Sequence, residues 1–234
     1  KKVSLELGGK SPNIVFDDAD LDNAVKGAIS GIFAATGQTC IAGSRLLVQN
    51  KIHNEFVDKL VAFAKTAEMG DPMSLDTQIG PVTTMPQFEK ILGYLDVAKD
   101  EGAECVLGGA RAERPECGDG WFVEPTIFTG VRNDMRIAQE EIFGPVLCVI
   151  PYSDETEALR IANGTAYGLS GAVWSADQER AKAFAAKLRT GQVSVNGGGF
   201  NPLAPFGGFG HSGIGREFGK WGLEEFLEVR SLQL

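Results

Sequence analysis

Histidine is scarce in this 234-residue chain, which holds only His53 and His211. The four cysteines, Cys40, Cys105, Cys117 and Cys148, form no Cys-x-x-Cys pair. Too few ligands at metal spacing are therefore present, and no metal site is expected. Basic residues are also short, with 22 Lys and Arg against 31 Asp and Glu and a formal charge of −9. Phosphate binding needs clustered cations, so neither nucleic acid nor an anionic membrane is the expected partner. The apolar runs are each broken by Gly, Ser or charge within about ten residues, too short to span a bilayer. No signal-peptide pattern opens the chain. Unpaired thiols suit a reducing compartment, so a cytoplasmic location is expected.

What is present suits a globular enzyme. The chain is 43% hydrophobic, enough for one large core or two small ones. It has 30 glycines, where roughly 16 would be usual at ~7%. They show no G-X-Y period and gather at element ends, which reads as tight turns and close backbone approaches. The first residue is Lys1 rather than methionine, inside a strand-like run, Val3–Leu7. A domain rarely starts within an element, so the chain is expected to be part of a longer protein.

Periodicity predicts alternating strands and helices. Strands are expected at 13–16, 45–49, 103–107, 146–152, 169–174 and 192–196, with one or two short ones within 121–128. Helices are expected at 21–35, 52–67, 86–100 and 154–163, from the Ser175-Ala-Asp-Gln178 capping pattern up to Gly191, and at 217–226. A last strand is expected at 227–232. Cys105 and Cys148 fall in strand-like runs and read as core, whereas Cys117 falls in a polar loop. This alternation predicts a three-layer α/β/α fold with a mainly parallel sheet. Ligands in such sheets bind beyond the carboxyl ends of the strands. The Cys40 turn follows a helix and need not obey that rule.

Three stretches carry candidate chemistry. Gly37-Gln-Thr-Cys40 is a turn of small residues between a helix and a strand, a rigid and uncrowded seat for a nucleophile. A free thiol has a pKa of roughly 8.5, so a neighbouring base would help it. Glu6, in Glu6-Leu-Gly-Gly-Lys10, is an acid on a strand before a double glycine. Partly desolvated in a cleft, it would be a general base for water or a thiol. In Glu140-Glu-Ile-Phe-Gly-Pro145, Glu141 could accept from sugar hydroxyls while Phe143 packs on a flat ring. Gly208-Phe-Gly-His-Ser-Gly213 mimics a dinucleotide-binding glycine pattern, but no strand precedes it and its spacing is wrong.

These stretches, with Pro205-Phe-Gly-Gly208 and Ser212-Gly-Ile-Gly-Arg-Glu217, occur in an order that resembles the NAD(P)-dependent aldehyde dehydrogenase superfamily. The resemblance spans the whole chain and corresponds to the C-terminal, catalytic half of a family member. It implies that residues 1–8 end a cofactor-binding domain, 9–215 form the catalytic domain, and 216–234 supply a C-terminal helix and oligomerisation strand. It implies that Cys40 attacks an aldehyde, giving a thiohemiacetal and then a thioester, and that Glu6 activates the water that hydrolyses it. Glu141 and Phe143, with Gly8, would contact the nicotinamide end of NAD or NADP. Gln38, Thr39 and Ile41 would line the aldehyde tunnel. A homo-oligomer, dimer or tetramer, is implied for the full-length protein, and the chain alone would turn over little or nothing. Position 210 is Gly where many members have Lys.

Other readings remain open on the residues alone. Acyl transfer to coenzyme A instead of water would keep Cys40 and dispense with Glu6 as base. A cysteine hydrolase without redox chemistry would need His53 or His211 beside Cys40. A non-catalytic assembly module would simply pack Cys40.

Overall fold

Leu46 and Val48 are buried on one side of a strand and Leu47 on the other, and this alternation repeats through the centre of the chain. A strand buried on both faces belongs in the middle of a layered α/β fold. The computed structural model, which describes residues 2–234, has that arrangement. In chain order the elements begin β1 (Leu5–Glu6), β2 (Pro12–Val15), α1 (Leu21–Phe33), β3 (Arg45–Gln49), α2 (His53–Ala64), α3 (Met85–Asp100), β4 (Glu104–Leu107) and β5 (Thr126–Thr129). They continue with α4 (Arg136–Gln139), β6 (Val146–Tyr152), α5 (Glu155–Ala162), β7 (Ala172–Trp174), α6 (Gln178–Ala185), β8 (Ser194–Val195), β9 (Gly213–Ile214) and α7 (Gly219–Glu224).

Seven strands form one sheet in the order β4-β5-β6-β3-β2-β7-β8. Every pair is parallel except β4–β5. One face, with Ile14, Leu47, Cys148 and Ile150, packs under α3, α5 and α6. The other, with Val15, Leu46, Leu147 and Val149, packs under α1 and α2. The expected three-layer α/β/α fold is therefore the observed one. A separate antiparallel ribbon joins β1 to β9, pairing Glu6 with Gly213.

Local chemistry explains where the helices start. Asp20 caps α1 by accepting from Asn23 N–H at 3.1 Å, and Asp154 caps α5 from Glu157 N–H at 2.9 Å. α6 differs from expectation. Its cap is Asp177, which accepts from the N–H groups of Glu179 (2.9 Å) and Arg180 (3.1 Å). The Ser175 hydroxyl is instead held by the Asp18 carboxylate at 2.8 and 2.9 Å.

Two other expectations change. Cys117 does not sit in an open loop; it is buried against the same face as Phe122 and Ala112. Residues 227–232 form no strand, and Val229 and Leu232 are 98% and 81% exposed. A strand needs a neighbour to bond with, and none lies beside this segment among the described residues.

Candidate active site

Strands β6, β3 and β2 are adjacent, and the three candidate stretches are the segments that enter them. Glu6–Lys10 leads into β2, Gly37–Ser44 into β3, and Glu140–Pro145 into β6. The site therefore forms at the amino ends of the central strands, opposite the usual edge for a parallel sheet. Cys40 departs from that rule because its turn closes α1 before the chain enters the sheet.

Glycines let the three arms touch. A Cβ on Gly9 would overlap the Cys40 carbonyl, one on Gly8 the Glu141 carboxylate, and one on Gly37 the Gly144 carbonyl. Each arm thus contacts both others at a place that admits no side chain. Gly37 has φ +67°, and Ala35 and Thr36 before it are also left-handed, at +49° and +57°. Such residues are strained unless their surroundings hold them. Here the Thr36 hydroxyl donates to the Gly80 carbonyl at 3.1 Å. Arg45 anchors the base of the turn. Buried to 1% exposure, it donates to the carbonyls of Lys10 (2.9 Å), Ile161 (2.7 Å) and Ala162 (2.7 Å) and to Asn133 Oδ1 (2.9 Å). That burial pulls its pKa down to about 10.

The Cys40 thiol is half-buried, and burial pushes its pKa up. The backbone N–H groups of Ile41 and Cys40 act the other way, while the charges of Glu6 and Glu141 raise it further. Both carboxylates therefore lie near enough for their charge to be felt at the sulfur. The thiol is held protonated rather than activated in advance, so its chemistry needs a base. Glu6 is suited to that role. Burial, and then the Glu217 charge, lift its carboxyl above the usual range against the opposing pull of Arg216. Its Oε2 is buried with no hydrogen-bond partner among the described residues. The fourth motif walls this carboxylate. Gly207 leaves room for it, and Ser212 carbonyl accepts from Leu7 N–H at 3.1 Å. Neither histidine acts on the sulfur; His53 pairs with Asn54, and the His211 ring packs edge-on to Tyr167.

Glu141 has one oxygen, Oε1, held by Gly9 N–H at 2.9 Å. Its Oε2 makes no hydrogen bond among the described residues, so an acceptor remains for a diol. Phe143 has φ +58°, rare for a bulky residue. Gln87 holds this backbone, donating from Nε2 to the carbonyls of Ile142 (2.8 Å) and Phe143 (2.9 Å). Sequence reading missed Gln87 because nothing in its helical stripe marks it. The expected substrate-lining residues point to different places. Gln38 Oε1 accepts from Thr83 N–H at 2.9 Å, bracing a neighbouring loop. Thr39 borders a small cleft shared with Glu141 and Phe143. Ile41 borders a different cavity, towards β7.

The aldehyde dehydrogenase family model matches residues 1–232. The chain is 49% identical over 233 residues to the betaine aldehyde dehydrogenase of Bacillus subtilis, covering 98% of this chain and 47% of that protein. It is also 49% identical to a 3-succinoylsemialdehyde-pyridine dehydrogenase of a Pseudomonas species, covering 99% and 48%. Among solved structures, a point mutant of Staphylococcus aureus betaine aldehyde dehydrogenase superposes with a TM-score of 0.93 at 48% identity. That match covers 95% of this chain and 46% of the other, which is in complex with NAD+ and carries a BME-modified cysteine. The chain spans about half the length of the curated relatives it matches. Among the described residues, no helix is long and apolar enough to cross a membrane.

Proposed function

The chain belongs to the aldehyde dehydrogenase family, and from that membership we propose that the protein containing it oxidises an aldehyde to a carboxylate with NAD+ or NADP+. The observation that carries the proposal is the convergence of Cys40, Glu6 and Glu141 from the arms that enter three adjacent strands. On this reading residues 1–8 finish a cofactor-binding domain, 9–215 are catalytic, and the exposed apolar segment in 216–234 pairs with another copy in a homo-oligomer. The location proposed is cytoplasmic.

The chemistry begins with a proton. Glu6 accepts it from the Cys40 thiol, directly or through one water, and the sulfur adds to the aldehyde carbon. The backbone N–H of Cys40 faces the oxygen that becomes negative. Bound nicotinamide supplies the hydride acceptor that turns the thiohemiacetal into a thioester. Glu6 passes the thiol proton to solvent and, again a carboxylate, takes a proton from water as that water attacks the thioester carbon. The C–S bond breaks, the carboxylate leaves, and the sulfur is protonated again. Glu141 Oε2 is free to accept from the ribose of the cofactor, and Phe143, in its fixed backbone pose, flanks the ring. Gly8 admits that carboxylate because it has no side chain.

In the full-length protein, Cys40→Ala should abolish aldehyde-dependent reduction of the cofactor. Glu6→Gln should slow turnover roughly 10²–10⁴-fold by removing the base from both proton transfers. Turnover retained by Cys40→Ala would refute the assignment. Acyl-CoA formed on adding coenzyme A would make the thiol of coenzyme A, rather than water, the acceptor.

A further inference from the structure

The residues just before the nucleophile, Ala35, Thr36 and Gly37, hold left-handed backbone one after another. Only glycine adopts that conformation freely, and a β-branched residue such as Thr36 does so seldom. A turn of this kind relaxes unless its surroundings over-determine it. Gln38 N–H closes it locally by donating to the Ala35 carbonyl at 3.0 Å. The side chains on either side of Gly37 then reach out of the turn to one loop. Thr36, 4% exposed, donates its hydroxyl to the Gly80 carbonyl at 3.1 Å. Gln38 Oε1 accepts from Thr83 N–H at 2.9 Å. Two bonds on opposite sides of one residue stop the turn from pivoting there, which a single bond would allow.

The loop that receives these bonds is itself anchored along its length. Ile79 N–H donates to the Glu68 carbonyl at 3.0 Å and Val82 N–H to the Trp121 carbonyl at 2.8 Å. The Val82 side chain is buried in the core beside α3. Thr84 then caps α3, its carbonyl accepting from Phe88 N–H at 3.0 Å. On the first turn of α3, Gln87 holds the Ile142 and Phe143 carbonyls. The Cys40 turn and the Phe143 arm are thus fastened to the same support.

We propose that Thr36 and Gln38 are positioning residues, which hold the Cys40 turn against the 80–83 loop and so fix the sulfur relative to the arm that carries Phe143. The inference rests on the aldehyde-oxidising reading and adds the residues that aim its nucleophile. It replaces the substrate-lining role expected for Gln38, whose oxygen faces the loop.

The test compares the full-length enzyme with Thr36→Val, Thr36→Ser, Gln38→Met and the double variant Thr36→Val/Gln38→Met. Valine keeps the shape and the backbone strain of threonine and lacks only the hydroxyl. Methionine keeps the length of glutamine and lacks the acceptor. Steady-state turnover, iodoacetamide alkylation of Cys40 at one neutral pH, and Tm are measured on each. Misplacing a reacting atom by about an ångström costs about 10²-fold in rate. kcat should therefore fall roughly 10-fold in each single cut and about 10²-fold in the double, with both KM values within about two-fold of wild type. Alkylation should move the other way. A released turn opens the half-buried sulfur to water and removes the burial that disfavours thiolate, so Cys40 should react roughly three-fold faster or more. Thr36→Ser, which keeps the hydroxyl, should hold both rates within about two-fold of wild type. Unchanged kcat and alkylation in the single cuts would overturn the inference. So would a raised aldehyde KM at unchanged kcat, the mark of a substrate-lining side chain, or a serine variant no better than the valine one. A turnover loss no larger than the unfolded fraction of the same sample would overturn it too. If the wild-type enzyme oxidises no aldehyde, the proposed function falls, and the alkylation rates alone decide whether the turn is held in this way.

Discussion

Gly9→Ala isolates the contact between two arms of the site. A Cβ at this position would overlap the carbonyl oxygen of Cys40, and backbone cannot swing aside as a side-chain tip can. The Gly9 backbone is not left-handed, so alanine brings no strain of its own. It lowers the entropy of the unfolded chain, a gain of about 0.4–1 kcal/mol. Overpacking the contact costs about 1–3 kcal/mol. The net loss, at most about 2.6 kcal/mol from those two ranges, leaves the protein folded and lowers Tm by no more than roughly 10 °C for a chain of this size. Activity should suffer more. Relieving the overlap moves the Cys40 backbone by roughly an ångström, and a misplacement of that size costs about 10²-fold in rate. The assay is steady-state cofactor reduction by the full-length enzyme, with scanning calorimetry on the same sample. Gly93→Ala is the control. Gly93 lies in α3 with nothing within 4 Å of the added Cβ, so the change should stabilise by up to about 1 kcal/mol and preserve turnover. Wild-type kcat in Gly9→Ala would refute the argument. So would an activity loss no larger than the unfolded fraction measured at the assay temperature.

Two further outcomes follow from the same site. Burial and the Glu6 and Glu141 charges raise the Cys40 pKa, so thiolate forms only above the ordinary thiol range of about 8.5. Iodoacetamide alkylation of Cys40 should therefore still be rising with pH beyond that value. Glu6→Gln removes one of the raising charges and should move the profile to lower pH; an unshifted profile would show that Glu6 and the sulfur do not share a space. Arg45→Met strips donors from the carbonyls of Lys10, Ile161 and Ala162. At about 1–3 kcal/mol per orphaned buried group, partly relieved by relaxation, urea unfolding should show a loss of about 3–5 kcal/mol. Arg45→Lys should recover part of it, and a loss below about 1 kcal/mol would contradict the anchoring role.

The legible parts of this fold are those where burial leaves one answer. β3 and β6 run over Arg45–Gln49 and Val146–Tyr152, the bounds their apolar stretches predict, because central strands are covered on both faces. The 227–232 segment has the pattern of a strand, but pairing depends on a neighbour that its own residues cannot supply. The cap of α6 shifted because Asp18, remote in sequence, claims the Ser175 hydroxyl. That the stretches holding Cys40, Glu6 and Glu141 belong together was legible through their motifs, and the three arms do touch. Gln87 was not, because its importance lies in two carbonyls of a distant loop. Nor could sequence show that Thr39 and Ile41, one residue to either side of the sulfur, border separate spaces.

The glycine contacts have a consequence for how this molecule fails. Where Cα meets carbonyl there is no rotamer to adjust, so a slip in any one strand passes undamped to the sulfur. Sliding β2 by one residue against β3 would carry Gly9 away from Cys40 and Gly8 away from Glu141 together. The geometry of the candidate site is thereby locked to sheet alignment, and a half-assembled chain has no partial version of it to fall back on.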